Sequence, residues 1–202
     1  MSDHAATIGA SEFDAATRVE PRHATGSYDL TVDPGWAVGP KPNGGYLLAA
    51  LARDRADVFV LQELSPELAS KLTGLESNFP YRAVDAQPYA AGIGVWSRYP
   101  IERSSRDPGY QLGVVTASLR VPGVSAPVSV LGAHLAGPFP QSIDNWKQDI
   151  AAFPDTLADL AATAGPGAAI VAGDLNATPD MRPFRNLLTG GFRNAAEQAG
   201  AG

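Results

Sequence analysis

The sequence predicts an α/β fold, because short apolar segments alternate with helical segments along most of its 202 residues. The segments over residues 56–61 and 168–172 are almost wholly apolar, as is typical of strands buried on both faces. Further strands are predicted over residues 92–97, 112–119 and 128–134. Polar, reactive residues follow directly on three of these five strands.

Helix signals separate the predicted strands. Ser65 supplies a capping hydroxyl and Pro66 suits the first helical position, which together predict a helix that ends near residue 72. A longer helix is predicted over residues 142–162, where Pro154 is expected to kink or split it.

Composition and charge exclude several classes of function. The formal net charge is -6, with 15 lysines and arginines against 21 acidic residues, which argues against a dense basic face for long nucleic acid. A small phosphorylated substrate, or one steered by a bound cation, fits this balance better. The absence of cysteine excludes disulfides, thiolate metal sites and cysteine nucleophiles.

The sequence shows no targeting pattern. Its first residues lack a basic segment followed by an apolar one, and its longest apolar runs are too short to span a bilayer. We therefore expect a cytoplasmic protein without a membrane span.

Four candidate site residues stand at the ends of predicted strands: Glu63, His134, Asp174 and Asn176. Strand ends are where α/β sheets usually bind ligands, and burying such groups without partners costs free energy. The combination suits phosphoryl chemistry, since a hard cation prefers carboxylate oxygens and an attacking water needs a base within reach.

Each candidate also has a structural interpretation. Glu63 could cap the helix that begins near Ser65, and His134 could be a satisfied, half-buried histidine. Asp174 and Asn176 could simply form a turn, since Gly-Asp-x-Asn has strong turn character. Their coincidence at three strand ends favours a functional interpretation.

Four segments in order resemble the motifs of the endonuclease/exonuclease/phosphatase superfamily over about residues 53–200. These are Asp57-Val-Phe-Val-Leu-Gln-Glu63, Gly92-Ile-Gly-Val-Trp-Ser-Arg-Tyr-Pro-Ile101, Leu131-Gly-Ala-His-Leu135 and Gly173-Asp-Leu-Asn176. The resemblance implies a partial four-layer α/β sandwich formed by residues 53–202.

The same resemblance implies roles and a cofactor. Glu63 would bind Mg²⁺ or Mn²⁺, and His134 would hydrogen-bond the scissile phosphate and stabilise its charge. Asp174 would orient or deprotonate the attacking water, and Asn176 would hold the phosphate or the nucleophile. The implied activity is metal-dependent hydrolysis of a phosphoester, with nucleic acid or a small phosphorylated molecule as substrate.

Two departures from the family pattern predict low activity. The family opens with a strand that ends in a metal-side asparagine, whereas here the nearest strand candidate ends in Asp33 and the nearest asparagine is Asn43. The family closes with a Ser-Asp-His segment, whereas this sequence stops at Gly202. We therefore expect an incomplete catalytic set.

Residues 1–52 form a segment that is expected to be foreign to this fold. The Tyr28-Asp-Leu-Thr-Val-Asp-Pro-Gly-Trp36 stretch and the later Asn43-Gly-Gly-Tyr46 turn resemble the opening of hot-dog-fold, acyl-CoA thioesterase-like proteins. An acyl-CoA thioesterase-like protein and a non-catalytic fragment therefore remain as alternatives to the hydrolase.

Overall fold

The computed structural model describes residues 56–138 and 142–198, together with the backbone of four short strands before them. β1 (Val19–Pro21) pairs antiparallel with β2 (Tyr28–Leu30), and β3 (Ala37–Val38) pairs antiparallel with β4 (Lys41–Pro42).

Two larger sheets organise the rest of the described chain. The first contains β5 (Val58–Gln62), β6 (Tyr81–Asp85) and β7 (Ile93–Ser97), with β7 antiparallel to both neighbours at its centre. The second has the order β11-β10-β9-β8 and is formed by β8 (Ile101–Arg106), β9 (Val114–Leu119), β10 (Val128–His134) and β11 (Ala169–Asp174). Its pairs are antiparallel except for β10 and β11, which are parallel.

The two sheets pack face to face, and each carries helices on its outer face. Alternation along each strand sends every second side chain inward, so Val60, Val95 and Val130 meet in the core between the sheets. Their chain neighbours point outward. Phe59 and Trp96 pack beneath the helices of the first sheet, and Leu131 faces the helix of the second. The result is the four-layer α/β arrangement that the family resemblance of the sequence implies.

The outer layer of the first sheet begins where the sequence predicts it. Ser65 caps α1 (Pro66–Lys71) by accepting a hydrogen bond from the Leu68 backbone N–H at 3.1 Å. A 3₁₀ segment (Leu72–Ser77) follows and buries Leu72 and Leu75 against the sheet. Helix and 3₁₀ turn therefore cover this face together.

The long helix α2 (Ile143–Ala164) covers the second sheet, and the expectation that Pro154 splits it is wrong. Phe153 and Leu157 are both buried against the sheet, so packing holds the helix on either side of the proline. The proline ring itself is exposed. Tertiary contacts thus compensate for the hydrogen bond that proline cannot donate.

The remaining helices are short: α3 (Arg182–Leu187) and α4 (Ala195–Gln198). Among the described helices, none is long and apolar enough to cross a membrane.

Strands β6 and β8 carry no apolar run, because they expose most of their side chains. The sequence also predicts a helix over residues 46–55, which lie outside the described residues. Residues 56–138 and 142–198 do not form the single sheet wrapped around a helix that a thioesterase of the hot-dog type would need. The assignment of residues 1–52 to a foreign segment remains a prediction.

We predict that Pro154→Ala stabilises the protein, because α2 is continuous through this position and alanine restores a backbone donor toward the Ile150 carbonyl. Proline in a helix interior is ~3 kcal/mol less favourable than alanine, so the free energy of unfolding should rise by roughly 1 kcal/mol or more. Urea denaturation followed by circular dichroism measures the change.

Phe153→Ala provides the matched control one residue away. Its ring is fully buried, so its removal should lower the free energy of unfolding by about 3–5 kcal/mol. A loss of stability in Pro154→Ala would contradict a continuous helix.

Candidate active site

Parallel pairing brings the ends of two strands together. His134 and Asp174 are the last residues of β10 and β11, and they are direct partners in the parallel register. Both strands run in the same direction, so their carboxyl ends lie at the same edge of the sheet. The two candidates therefore occupy neighbouring strand ends.

Asn176 joins this pair through a hydrogen-bonded turn. Its backbone N–H donates to Asp174 Oδ1 at 2.8 Å, and its side-chain Nδ2 donates to the Leu135 carbonyl at 2.8 Å. The Leu135 backbone N–H in turn donates to the Asp174 carbonyl at 2.9 Å. Asn176 has a φ of 48°, a left-handed conformation that asparagine tolerates better than most residues. One turn thus fixes Asp174, Asn176 and the residue after His134.

The Asp174 carboxylate is exposed and only partly used by this turn. Oδ1 accepts the Asn176 N–H, and Oδ2 has no partner among the described residues. One oxygen of Asp174 thus remains available to water or substrate.

His134 is oriented by a loop of the other sheet. The imidazole is 4% exposed, and its Nδ1 lies 3.2 Å from the Ala90 carbonyl oxygen. A carbonyl oxygen can only accept, so this contact is a hydrogen bond only when Nδ1 carries the proton. Nε2 is then the nitrogen left to face a ligand, as an acceptor in the neutral ring and a donor in the charged one.

Glu63 lies at the same end of the sandwich but in the other sheet. It directly follows β5, is exposed, and adopts a φ of 55°. The next residue, Leu64, donates its N–H to the Gly92 carbonyl at 3.0 Å. The loop before β7 therefore contacts the Glu63 turn through Gly92 and His134 through Ala90.

Gly92 is required by this close approach. A Cβ at position 92 would lie 1.9 Å from the Leu64 carbonyl oxygen, closer than any side chain can come. The glycine of the Gly-x-Gly segment thus lets the loop sit against the Glu63 turn.

An ion pair joins the two sheets near this end. Arg106 Nε of β8 lies 2.6 Å from Asp85 Oδ2 of β6, and Gln87 Nε2 donates to Asp85 Oδ1 at 2.7 Å. Asp85 is aligned across β7 with Gln62, the residue before Glu63. The pair links β6, the strand just before the loop that carries Ala90, to β8 in the other sheet.

A cavity of ≈ 330 Å³ opens beside Asp174 on the outer face of the second sheet. Its lining is mostly apolar and includes Phe184 and Phe192, with Arg193 and Asn194 as polar members. Of the four candidates, only Asp174 lines it. It is therefore a neighbour of the site and does not enclose it.

The donor set fits a hydrated hard cation better than an enclosed metal centre. Within residues 56–138 and 142–198, no group of three or more His, Asp and Glu side chains is arranged to hold a metal ion. Glu63 forms no ion pair with any described residue, so its carboxylate is free to bind. Mg²⁺ commonly keeps several waters and binds through one or two carboxylates, which matches this exposed Glu63.

Sequence reasoning missed three contributors to the site. Ala90 contributes its backbone carbonyl, and a backbone contribution cannot be recognised from the type of residue. The Asp85–Arg106 pair depends on strands β6 and β8, which have no apolar pattern. Asp149, a buried acid on α2, did leave a signal, because it interrupts an apolar helical face at Trp146, Ile150 and Phe153.

Comparison with known proteins gives a family match and matches to solved structures. The model of the Endonuclease/Exonuclease/phosphatase family matches residues 26–201, a range that begins inside the N-terminal segment. A search of curated proteins found no match.

Three solved structures illustrate the similarity of fold. D. rerio TDP2 complexed with a single-strand DNA product is 22% identical with a TM-score of 0.61, covering 77% of this chain and 62% of that chain. Truncated Caenorhabditis elegans TDP2 is 17% identical with a TM-score of 0.59, covering 77% and 62%. Sphingomyelinase C from Streptomyces griseocarneus is 20% identical with a TM-score of 0.51, covering 65% and 56%. The chain thus spans less than two thirds of the length of each.

We predict that neutral His134 carries its proton on Nδ1, because the Ala90 carbonyl can only accept. Heteronuclear NMR of the imidazole nitrogens distinguishes the two tautomers, and His134→Gln assigns the signal. A neutral ring protonated on Nε2 would show that the Ala90 contact does not orient this side chain.

Proposed function

We propose a function for this chain, which belongs to the endonuclease/exonuclease/phosphatase family. It is a divalent-metal-dependent hydrolase of phosphoesters, and of phosphodiesters in particular. One observation carries the proposal: His134 and Asp174 end two parallel strands in register, and hydrogen bonds join Asp174 and Asn176 to Leu135, the residue after His134. Hydrolysis of a phosphoester needs a base, a charge-stabilising donor and a polar anchor, and these three side chains supply one of each.

Asp174 would act on the attacking water. Its Oδ1 is held by the Asn176 N–H, so the carboxylate has a fixed orientation, and Oδ2 is left to accept a proton from water. A positioned base of this kind raises the rate only when it lies within hydrogen-bond reach of the nucleophile.

Asn176 and His134 would bind the phosphoryl oxygens. Asn176 uses one amide hydrogen for the Leu135 carbonyl, so the second hydrogen remains available to an acceptor on the substrate. His134 directs Nε2 away from Ala90, and in its protonated form this nitrogen would donate to the oxygen on which negative charge develops.

Glu63 would hold the divalent cation, Mg²⁺ or Mn²⁺, with water completing the coordination. When bound, such a cation would neutralise part of the negative charge of the phosphoester. Glu63 is exposed and lies at the same end of the sandwich as His134, as this role requires.

The substrate would present a single phosphodiester rather than a long duplex. The net charge of -6 leaves little basic surface for many phosphates at once. Among the similar structures, one is described with a single-strand DNA product and another is a sphingomyelinase. An exposed nucleic-acid end and a phosphodiester headgroup share the chemistry that this site would recognise.

We predict slow, metal-dependent hydrolysis of bis-p-nitrophenyl phosphate that is abolished in Asp174→Ala. His134 is the sole imidazole in the described part of the chain, so a second histidine to act as acid or base is lacking there, and such a group typically contributes ~10²–10⁴-fold. Release of p-nitrophenol with and without Mg²⁺ measures the rate.

Asp159→Ala is the matched control, because Asp159 is an exposed carboxylate on α2. It should leave the rate unchanged. Equal rates for Asp174→Ala and the parent chain would refute the role of Asp174, and no turnover in any version would favour the non-catalytic alternative.

We predict weak binding of Mg²⁺ that is lost in Glu63→Gln, because a single protein carboxylate replaces few of the waters around the ion. Glu67→Gln, four residues later at the start of α1, should bind Mg²⁺ as the parent chain does. Isothermal titration calorimetry gives both affinities. Tight binding, or binding that survives Glu63→Gln, would point to other ligands, with Asp33 and Asn43 the first to test.

A further inference from the structure

Asp149 is a buried acid whose position the fold alone does not require. It is 1% exposed, and it lies on the face of α2 that Trp146, Ile150 and Phe153 bury against the second sheet. It forms no ion pair with any described residue. An apolar residue here would complete the helical stripe, and burying a carboxylate without a cation is costly.

The Asp149 carboxylate bonds to the backbone that follows His134. Its Oδ2 accepts from the Ala136 N–H at 2.9 Å, and both groups are buried. Its Oδ1 has no hydrogen-bond partner among the described residues. Among the described residues, one charge-assisted hydrogen bond to this amide is therefore the interaction that offsets the cost of burying the carboxylate.

The anchored amide is adjacent to the centre of the site. Leu135, the residue before Ala136, donates its N–H to the Asp174 carbonyl. Its own carbonyl accepts a hydrogen bond from the Asn176 side chain. Any shift of Ala136 would therefore reach both candidates through one peptide unit.

A second side chain of α2, about one helical turn from Asp149, hydrogen-bonds the turn that follows β11. Trp146 Nε1 donates to the Leu175 carbonyl at 3.3 Å, and Leu175 is the residue between Asp174 and Asn176. Residues three apart on a helix lie on the same face, so Trp146 and Asp149 act side by side. One anchor holds the strand end of β10 and the other the turn after β11.

The loop before β9 packs against α2 near Asp149. Burial raises the pKa of the Tyr110 hydroxyl, and the negative charges of Asp107, Asp149 and Asp155 add to that rise. Tyr110 packs edge-on against Phe153 and its hydroxyl lies 2.5 Å from Thr156 Oγ1, both on α2. Gly113, later in this loop, accepts the His134 N–H at 2.8 Å.

We propose that Asp149 is a positioning residue, which fixes the Leu135–Ala136 backbone and through it the Asn176 side chain and the end of β10. The inference rests on the proposed hydrolase function for its catalytic consequence. Its structural part, the coupling of position 149 to Asn176, does not depend on that function.

The experiment compares Asp149→Leu with Asp149→Asn in the full chain. Leucine fills the site but cannot accept from Ala136, whereas asparagine keeps an acceptor oxygen in the same place. Ile150→Ala is the control, since it weakens packing at the adjacent buried position without touching the Ala136 amide. Asp149→Ala replaces Asp149→Leu if the larger side chain prevents folding, as judged by circular dichroism.

Two readouts are measured for each variant: the NMR signals of the Asn176 side-chain amide, and kcat and KM for bis-p-nitrophenyl phosphate with Mg²⁺. We expect Asp149→Leu to shift the Asn176 amide signals and to lower kcat by roughly tenfold to a hundredfold with little change in KM, as a small displacement of catalytic groups would. Asp149→Asn should restore the amide signals and most of the rate.

The inference is overturned if Asp149→Leu leaves the Asn176 signals unchanged, or if Ile150→Ala shifts them as strongly, since either result makes Asp149 an ordinary part of the core. It is also overturned if Asp149→Asn behaves like Asp149→Leu. If no version hydrolyses the diester, the proposed function fails, and the Asn176 signals still decide whether Asp149 positions the turn.

Discussion

In the parallel ladder between β10 and β11, six residue pairs run in register from Ser129–Ala169 to His134–Asp174. This register is the constraint on which the site depends, because a shift of one residue would separate the imidazole from the carboxylate and turn one of them to the other face. Gly173 makes the close pairing feasible. Its φ is 147°, and a Cβ there would lie 1.9 Å from the Ala133 carbonyl oxygen. Here the glycine is required one residue before the candidate base.

The site is assembled from both sheets, but the two halves are supported differently. Asp174 and Asn176 share a direct hydrogen bond, and both bond to Leu135, the residue after His134, so these three candidates are held together at one end of the second sheet. Glu63 belongs to the other sheet and reaches this unit only through the loop before β7, which bonds Leu64 on one side and His134 on the other. The packing of the sheets, together with the Asp85–Arg106 pair, therefore sets the distance between the Glu63 carboxylate and the three other groups.

Much of this arrangement follows from local sequence patterns. Strands β5 and β10 are apolar because most of their side chains are buried on both faces, and the polar residue at each end stands out for the same reason. Strands β6 and β8 escape such reasoning, since they expose most of their side chains and therefore need no apolar pattern. The Ala90–His134 bond joins residues 44 positions apart, and backbone partners over that distance depend on the fold. Pro154 misleads for a related reason, because packing on both sides outweighs its local preference.

The turn-forming and catalytic interpretations of Asp174 are compatible, because they concern different oxygens. Oδ1 receives the Asn176 N–H, as any Asx turn requires, and this explains why Gly-Asp-x-Asn is a good turn sequence. The same bond fixes the carboxylate plane and thereby directs Oδ2. In an ordinary surface turn, the bond to Oδ1 would serve only to form the turn. Here the turn lies beside His134 and is bonded to the Leu135 carbonyl, so the bond that forms the turn also places Asp174 Oδ2 near the end of β10.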